Sequence, residues 1–141
     1  MTTPASPRQV LLDLADRCER EEPSRQLDRE IAAALGYGVQ VIEIDDEHPM
    51  ADVFKVGGGL EFMILPDGRR TGIPPYTTSL DAAVTLLAEG CEWELTNLYG
   101  IAVASVGLNR ANGNWQSGAH KGGHLALALC AASLRARAEA L

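Results

Sequence analysis

The final segment of the chain, HLALALCAASLRARA at residues 124–138, restricts the possible fold more than any other part of the sequence. Its length and its leucine and alanine content predict a helix. A helix with so few polar residues has no face suited to water, so it must be packed on both sides or buried at a subunit contact. The rest of the chain, or a second copy of it, must therefore supply covering layers.

Length and composition indicate one ordinary globular domain. The chain has 141 residues, of which 46% are hydrophobic and 22% charged, and these values exclude a wholly disordered or fibrous chain. No apolar run approaches the length of a membrane span, and the start of the chain turns charged before a signal-peptide core could form. We therefore expect no membrane partner and a cytoplasmic location.

The three cysteines, Cys18, Cys91 and Cys130, are odd in number, widely spaced and without a CxxC pair. This pattern favours buried thiols over a disulfide framework or a zinc site.

The net charge of −7 is unevenly distributed. Residues 1–65 contain 13 acidic and 6 basic side chains, whereas residues 66–141 contain 6 of each. An acidic chain is poorly suited to coating nucleic acid, which needs a basic face. We expect no polymeric nucleic acid partner, and we expect any anion site to lie in the second half.

Two helices are predicted at the start of the chain. Ser6 and Gln9, in the segment SPRQ, have the spacing of a capping box with proline at the first helical position. Pro23 interrupts the apolar periodicity, Ser24 can cap a second helix, and Gly36 can close it.

The middle of the chain has strand-like and turn-like patterns. The runs VQVIEI, DVFKV and LEFMIL predict two or three short strands within residues 38–65. Residues 66–77 are rich in turn formers and predict a surface loop. Ser79 or Thr78 then caps a predicted helix of about ten residues, SLDAAVTLLAEG.

A hairpin and the final helix complete the expected order. CEWELTNL and IAVASVGL predict paired strands, and the polar, glycine-rich residues 109–123 predict a loop. The expected fold is α+β, an antiparallel sheet with helices packed on it, in the order α-α-β-β-α-β-β-α.

The usual signatures of catalysis are absent from this sequence. It contains no GxGxxG, GxxxxGK[ST] or GxSxG motif. His120 and His124 are four residues apart, but neither an HExxH motif nor an obvious third ligand accompanies them. The carboxylates Asp45, Asp46 and Glu47 are more typical of a solvated loop than of an acid/base pair. We therefore predict no catalytic residues, metal or cofactor.

The segment 109–123 suggests an anion site, because a Gly-Gly pair that leads into a helix exposes backbone N–H groups at its positive end. Four side chains that can be cationic lie in or beside it: Arg110, His120, Lys121 and His124. Trp115 adds an aromatic face on which a base could stack. The alternative is that Trp115 folds onto the core and the glycines only cap a helix.

A second cluster with similar chemistry precedes the first. Arg69, Arg70 and Tyr76 lie on or next to the predicted loop 66–77, which could also be an ordinary solvated basic turn. Together the two clusters predict one surface for a ligand with a phosphate and a base.

The segment PPYTTSLDAAVTLL, followed by Trp93 to Leu95, by IAVASVGL and by LALALCAASLRARA, resembles the phage ABA-sandwich domain family. LDREIAAALGY resembles the family's leading helix, so the resemblance covers residues 27–37 and 73–136. The chain departs from the family in two respects: it lacks a large aromatic residue in the strand after Asn97, and residues 39–65 have no counterpart.

This family includes the Thoeris anti-defence proteins, which sequester signals of the cyclic ADP-ribose type, or cyclic oligonucleotides, without cleaving them. The resemblance implies a single ABA-sandwich domain over residues 1–141, in a phage or prophage protein that acts in the cytoplasm of a bacterial host. It also implies a homo-oligomer, a dimer or hexamer, formed through the C-terminal helix. Two alternatives are a phage accessory protein that only builds an oligomer, and a hydrolase that uses His120 and His124.

Overall fold

The described part of the chain comprises four helices and six strands. The computed structural model describes residues 6–42, 60–88, 90–107 and 115–141. In chain order the elements are α1 (Pro7–Arg20), α2 (Arg25–Ala34), β1 (Gly38–Ile42), β2 (Leu60–Ile64), β3 (Arg70–Gly72), α3 (Leu80–Val84), β4 (Glu92–Leu98), β5 (Ile101–Gly107), β6 (Trp115–His120) and α4 (Leu125–Glu139).

The strands form two antiparallel sheets of three, ordered β1-β2-β3 and β4-β5-β6. The predicted α+β class and antiparallel pairing are confirmed. The observed order, α-α-β-β-β-α-β-β-β-α, contains two strands more than the predicted one. VQVIEI and LEFMIL correspond to β1 and β2, whereas DVFKV lies outside the described residues.

The two additional strands lie in segments that were predicted to be loops. β3 pairs with β2 through a tight turn in which the Leu65 N–H donates to the Arg69 carbonyl and Gly68 has a φ of +88°. β6 pairs with β5 along its whole length despite its polar, glycine-rich sequence. Its partners, rather than its own strand propensity, determine its conformation.

The helix termini follow the sequence signals in most respects. The hydroxyls of Ser6, Ser24 and Ser79 each accept the backbone N–H three residues ahead, which confirms these three residues as N-caps. The Gln9 side chain donates to Asp13 instead of completing the capping box. α3 has five residues rather than ten, because the chain continues from Ala83 in i→i+3 turns that place Leu86 in the core.

Helix α4 lies at the centre of the fold, and its apolar character is accounted for within one chain. Residues 126–134 are each at most 6% exposed. Ser133, which is 1% exposed, is the one polar residue among them. α1 packs along one side of α4, and β5 and β6 pack along another side. Three residues of β5, Ala102, Ala104 and Val106, are buried. The prediction that this helix is packed on both sides is confirmed.

The outer edge of β6 is covered by charged side chains of α1 and α4. Arg135 donates to the Ser117 carbonyl at 2.8 Å, and the Ala119 N–H donates to the Glu19 carboxylate at 2.9 Å. Arg135 and Glu19 are themselves 2.6 Å apart. Because an unpaired strand edge can recruit other chains, this cover protects β6 from edge-to-edge association.

The Glu19 contacts predict an acid-dependent part of stability. The hydrogen bond from Arg135, supplemented by the N–H of Ala119, lowers the pKa of Glu19 below its ordinary value of 4.5. The Glu19 carboxylate therefore binds a proton more readily in the unfolded chain than in the folded one. Its contribution to stability is complete above pH 4.5 and is lost as the pH falls through the folded-state pKa. We expect Glu19→Gln to show a shallower loss of unfolding free energy than the parent in urea titrations from about pH 7 to about pH 3. Parallel pH profiles would contradict this assignment.

Candidate functional site

A cavity of about 480 Å³ opens between the two ends of the chain, and we call it the terminal cleft. Its walls come from the start of α1, the end of α2, the segment after α3, the adjoining ends of β5 and β6, and the last turns of α4. The lining residues are Pro7, Leu11, Ala34, Leu35, Leu87, Ala88, Cys91, Val106, Gly107, Gln116, Ser133, Ala136, Arg137, Glu139, Ala140 and Leu141.

Helix α4 supplies one continuous stripe of this lining. Ser133, Ala136, Arg137 and Ala140 follow the i, i+3, i+4, i+7 spacing of a single helical face. The two alanines are short, so this end of the helix leaves space, whereas leucines fill the core earlier in the helix. The cleft is therefore a consequence of residue size along one face of α4.

Ser133 is the buried polar group of the cleft. Its side chain is 1% exposed, and its hydroxyl oxygen has no hydrogen-bond partner among the described residues. A helical serine commonly donates to the carbonyl four residues earlier, which this one does not do. An unsatisfied buried hydroxyl costs about 1–3 kcal/mol.

Arg137 lies one helical turn beyond Ser133 and provides the positive charge of the cleft. Its Nε donates to the Leu86 carbonyl at 2.8 Å, and its terminal nitrogens have no partner in the part of the chain that the structure describes. The nearby Tyr76 has its pKa raised by burial, an effect that the Arg137 charge partly opposes.

The acidic residue of the cleft wall is already neutralised. Glu139 accepts from Arg8 at 2.9 Å, at the exposed rim of the cleft. Among the described lining residues, Arg137 is therefore the charge that has no counter-ion.

Two of the residues predicted to bind ligand are buried in the core. Tyr76 is 3% exposed, and its carbonyl accepts from the Cys130 thiol at 3.2 Å. His120 is also 3% exposed: its Nδ1 accepts the Gly122 N–H at 3.1 Å, and its Nε2 lies 2.9 Å from the Glu21 carbonyl. The fitting tautomer has its proton on Nε2, so both ring nitrogens of His120 are occupied by backbone groups.

The predicted basic loop lies in the first sheet. Arg69 donates to Asp67, both from its backbone N–H and from its side chain, and it is largely exposed. Arg70 begins β3 opposite Ile64 and is exposed. Arg110 lies outside the described residues.

The other predicted residues lie on or next to β6 in the second sheet. Trp115 begins this strand and Lys121 directly follows it, so six residues of extended chain separate them by about 20 Å. The Trp115 ring packs over Gly107, where an added Cβ would lie 2.8 Å from it. The structure therefore does not bring the stacking and phosphate-binding residues of the predicted surface together.

Lys121 and His124 flank the two glycines that lead into α4, and we call this region the helix-start surface: Tyr99, Lys121, Gly122, Gly123 and His124. The N-cap residue His124 makes no side-chain hydrogen bond to the first N–H groups of α4, so these groups lack the acceptor that an N-cap residue usually supplies. His124 Nε2 lies 3.2 Å from Glu22, and Lys121 is exposed. The β4–β5 turn carries the fully exposed Tyr99. The carbonyl oxygen of Gly100 in this turn lies close to Gly123.

The sequence predictions did not include the most informative residues of the terminal cleft and of the helix-start surface. Ser133 and Arg137 are four apart in an alanine- and leucine-rich helix, a spacing that could have indicated one polar spot on one face. Tyr99 and Gly100 form a two-residue turn with φ values of 51° and 84°, which the alternating runs on either side could have indicated.

Comparison of the chain with protein-family models, with curated proteins and with solved structures gave no significant match. Among the described residues, no helix is both long and apolar enough to cross a membrane. Within the same residues, no three His, Cys, Asp or Glu side chains form a group that could hold a metal ion.

Proposed function

We propose that this chain is a small-molecule binding protein that holds its ligand in the terminal cleft and releases it unchanged. The observation that carries the proposal is a cavity of about 480 Å³ whose lining is mostly leucine, valine and alanine and includes Arg137, which has no counter-ion among the described residues. Natural ligand pockets have about this volume, mostly apolar walls and a few polar groups that orient the ligand. The terminal cleft has the same combination.

The energetics of the cleft favour an occupant. The hydroxyl of Ser133 and the terminal nitrogens of Arg137 lack protein partners in the described structure. A ligand that accepts from the Arg137 guanidinium would pair its charge, and its apolar part would cover the leucine, valine and alanine side chains of the walls.

The binding proposal can be tested by filling the cleft. We expect the neutral dye N-phenyl-1-naphthylamine to fluoresce more strongly with the parent protein, because an apolar cavity excludes water from the dye. Ala136→Phe places a ring in the cleft and should abolish most of this increase. The control is Thr96→Phe, at an exposed strand position that is not part of the lining. Equal fluorescence with parent and Ala136→Phe proteins would overturn the proposal.

Ser133→Ala should stabilise the unliganded protein by about 1 kcal/mol, because it removes an unsatisfied hydroxyl from a helix and introduces the best helix former. Urea unfolding measures this change. The control is Ser79→Ala, which removes the hydroxyl that caps α3 and should cost about 1 kcal/mol. A destabilised Ser133→Ala variant would show that the hydroxyl contributes to folding.

The helix-start surface favours a second candidate, sequestration of a cyclic nucleotide signal by a phage or prophage anti-defence protein. Lys121 and the uncapped N–H groups of α4 suit a phosphate, and Tyr99 offers an exposed ring on which a base could stack. The resemblance described above favours the same class of ligand, held in the bacterial cytoplasm by a dimer or hexamer.

Calorimetry with cyclic ADP-ribose isomers and with cyclic di- and trinucleotides tests this second candidate. We expect Lys121→Ala and Tyr99→Ala to weaken binding, and mass spectrometry to recover intact ligand after heating of the complex. Light scattering tests the oligomer. An absence of heat with every one of these nucleotides, at tens of micromolar protein, would exclude the candidate.

A further inference from the structure

We infer that the ligand of the terminal cleft is an amphipathic carboxylate, a molecule with one acidic group and an apolar body. This inference rests on the proposed binding function and specifies its substrate class. Its basis is the placement of Arg137 on one face of α4, in the wall of a largely apolar cavity.

The geometry of Arg137 favours a carboxylate. Its Nε is already committed to the Leu86 carbonyl, so the guanidinium is held in place and its terminal nitrogens remain available in the described structure. A guanidinium binds a carboxylate through two parallel N–H···O bonds.

The charge of the cleft favours a single acidic group. Glu139 is paired with Arg8, so Arg137 is the one cation of the described lining that has no counter-ion. A ligand with two phosphates would bring a second negative charge into apolar surroundings without a partner, which is costly. A monocarboxylate leaves no charge unmatched.

The walls favour an apolar body. Leu11, Leu35, Leu87 and Val106 come from four different segments and line the same cavity as Arg137. Burial of a hydrocarbon chain or ring against them contributes in proportion to the area removed from water. Gln116 is the remaining neutral polar side chain of the lining besides Ser133.

The inference can be tested by displacement of N-phenyl-1-naphthylamine from the intact chain with decanoate and with decanol, which share the same hydrocarbon chain. In the parent protein, decanoate should displace the dye at a concentration about tenfold lower than decanol does, because the acid gains charge-assisted hydrogen bonds. In Arg137→Met the two competitors should become equal within about twofold.

Controls separate failure of the inference from failure of the proposed function. Dye binding to Arg137→Met shows that the cleft is still formed, and Arg69→Met removes an exposed arginine outside the lining and should behave as the parent does. If the dye binds but decanol competes as well as decanoate, the carboxylate inference is wrong and the binding function stands. If cyclic ADP-ribose displaces the dye more effectively than decanoate, the inference is also wrong. If the dye does not bind the parent, the proposed function itself fails.

Discussion

Replacing Gly118 by alanine is expected to lower the free energy of unfolding by about 3 kcal/mol, the upper end of the usual cost of overpacking. Gly118 lies in β6 where the strand crosses α4. An added Cβ would overlap the Ala128 carbonyl oxygen and would lie 2.7 Å from the Ala132 nitrogen and 2.8 Å from the Ala131 methyl group. Two of these three atoms belong to helix backbone, so the clash cannot be relieved by a change of rotamer.

Gly72→Ala is the matched control for this substitution. Gly72 is also a strand glycine, but nothing lies within 4 Å of its would-be Cβ and its φ is not in the left-handed region. Urea unfolding of this variant should give a free energy within about 0.5 kcal/mol of the parent. Equal stability of the Gly118 and Gly72 variants would contradict the close approach of β6 to α4.

Replacing Asp28 by alanine is expected to cost about 3 kcal/mol of unfolding free energy, because it removes a buried acceptor from a polar network. Asp28 is 1% exposed and accepts the N–H of Thr77 at 2.9 Å and the Thr77 hydroxyl at 2.8 Å. Its other oxygen pairs with Arg25 at 3.0 Å. Arg25 is partly exposed and can be solvated, so most of the cost falls on the fully buried Thr77.

Two further variants test this explanation. Asp28→Asn keeps an oxygen for Thr77 but loses the charge and replaces the acceptor of Arg25 by an NH2 group, so it should cost about 1–2 kcal/mol. Asp13→Ala removes an exposed carboxylate that accepts from Gln9 and should be neutral within about 0.5 kcal/mol. If Asp28→Ala is as stable as Asp13→Ala in urea unfolding, the network does not tie α2 to the segment that contains Thr77.

Local signals in the sequence were sufficient to predict the helices at both ends and the β4–β5 hairpin. Serine caps, prolines and the apolar periodicity depend on neighbouring residues only, and the structure places Ser6, Ser24 and Ser79 as expected. β6 could not be predicted in this way, because WQSGAH has weak strand propensity. It is a strand because β5 pairs with it and because Gly118 permits the close contact with α4.

Burial and the candidate site depend on contacts between distant segments. Tyr76 follows two prolines in a turn-rich stretch that suggests exposure, yet the packing of α4 around Cys130 covers it. His120 lies in a segment rich in polar residues, yet the backbone of residues 21 and 122 surrounds its ring. The terminal cleft combines the two ends of the chain with two strand ends, so no continuous motif in the sequence could indicate it.

The central claim, that the terminal cleft is the binding site, is tested most directly by backbone amide NMR during titration with decanoate. We predict saturable shifts concentrated in residues 133–140 and in Leu87, Ala88 and Cys91, with the amides of Tyr99 and residues 121–125 unchanged. The Ala136→Phe protein should show none of these shifts. Saturable shifts confined to Tyr99 and residues 121–125, or an absence of saturable shifts in the parent protein, would contradict the account.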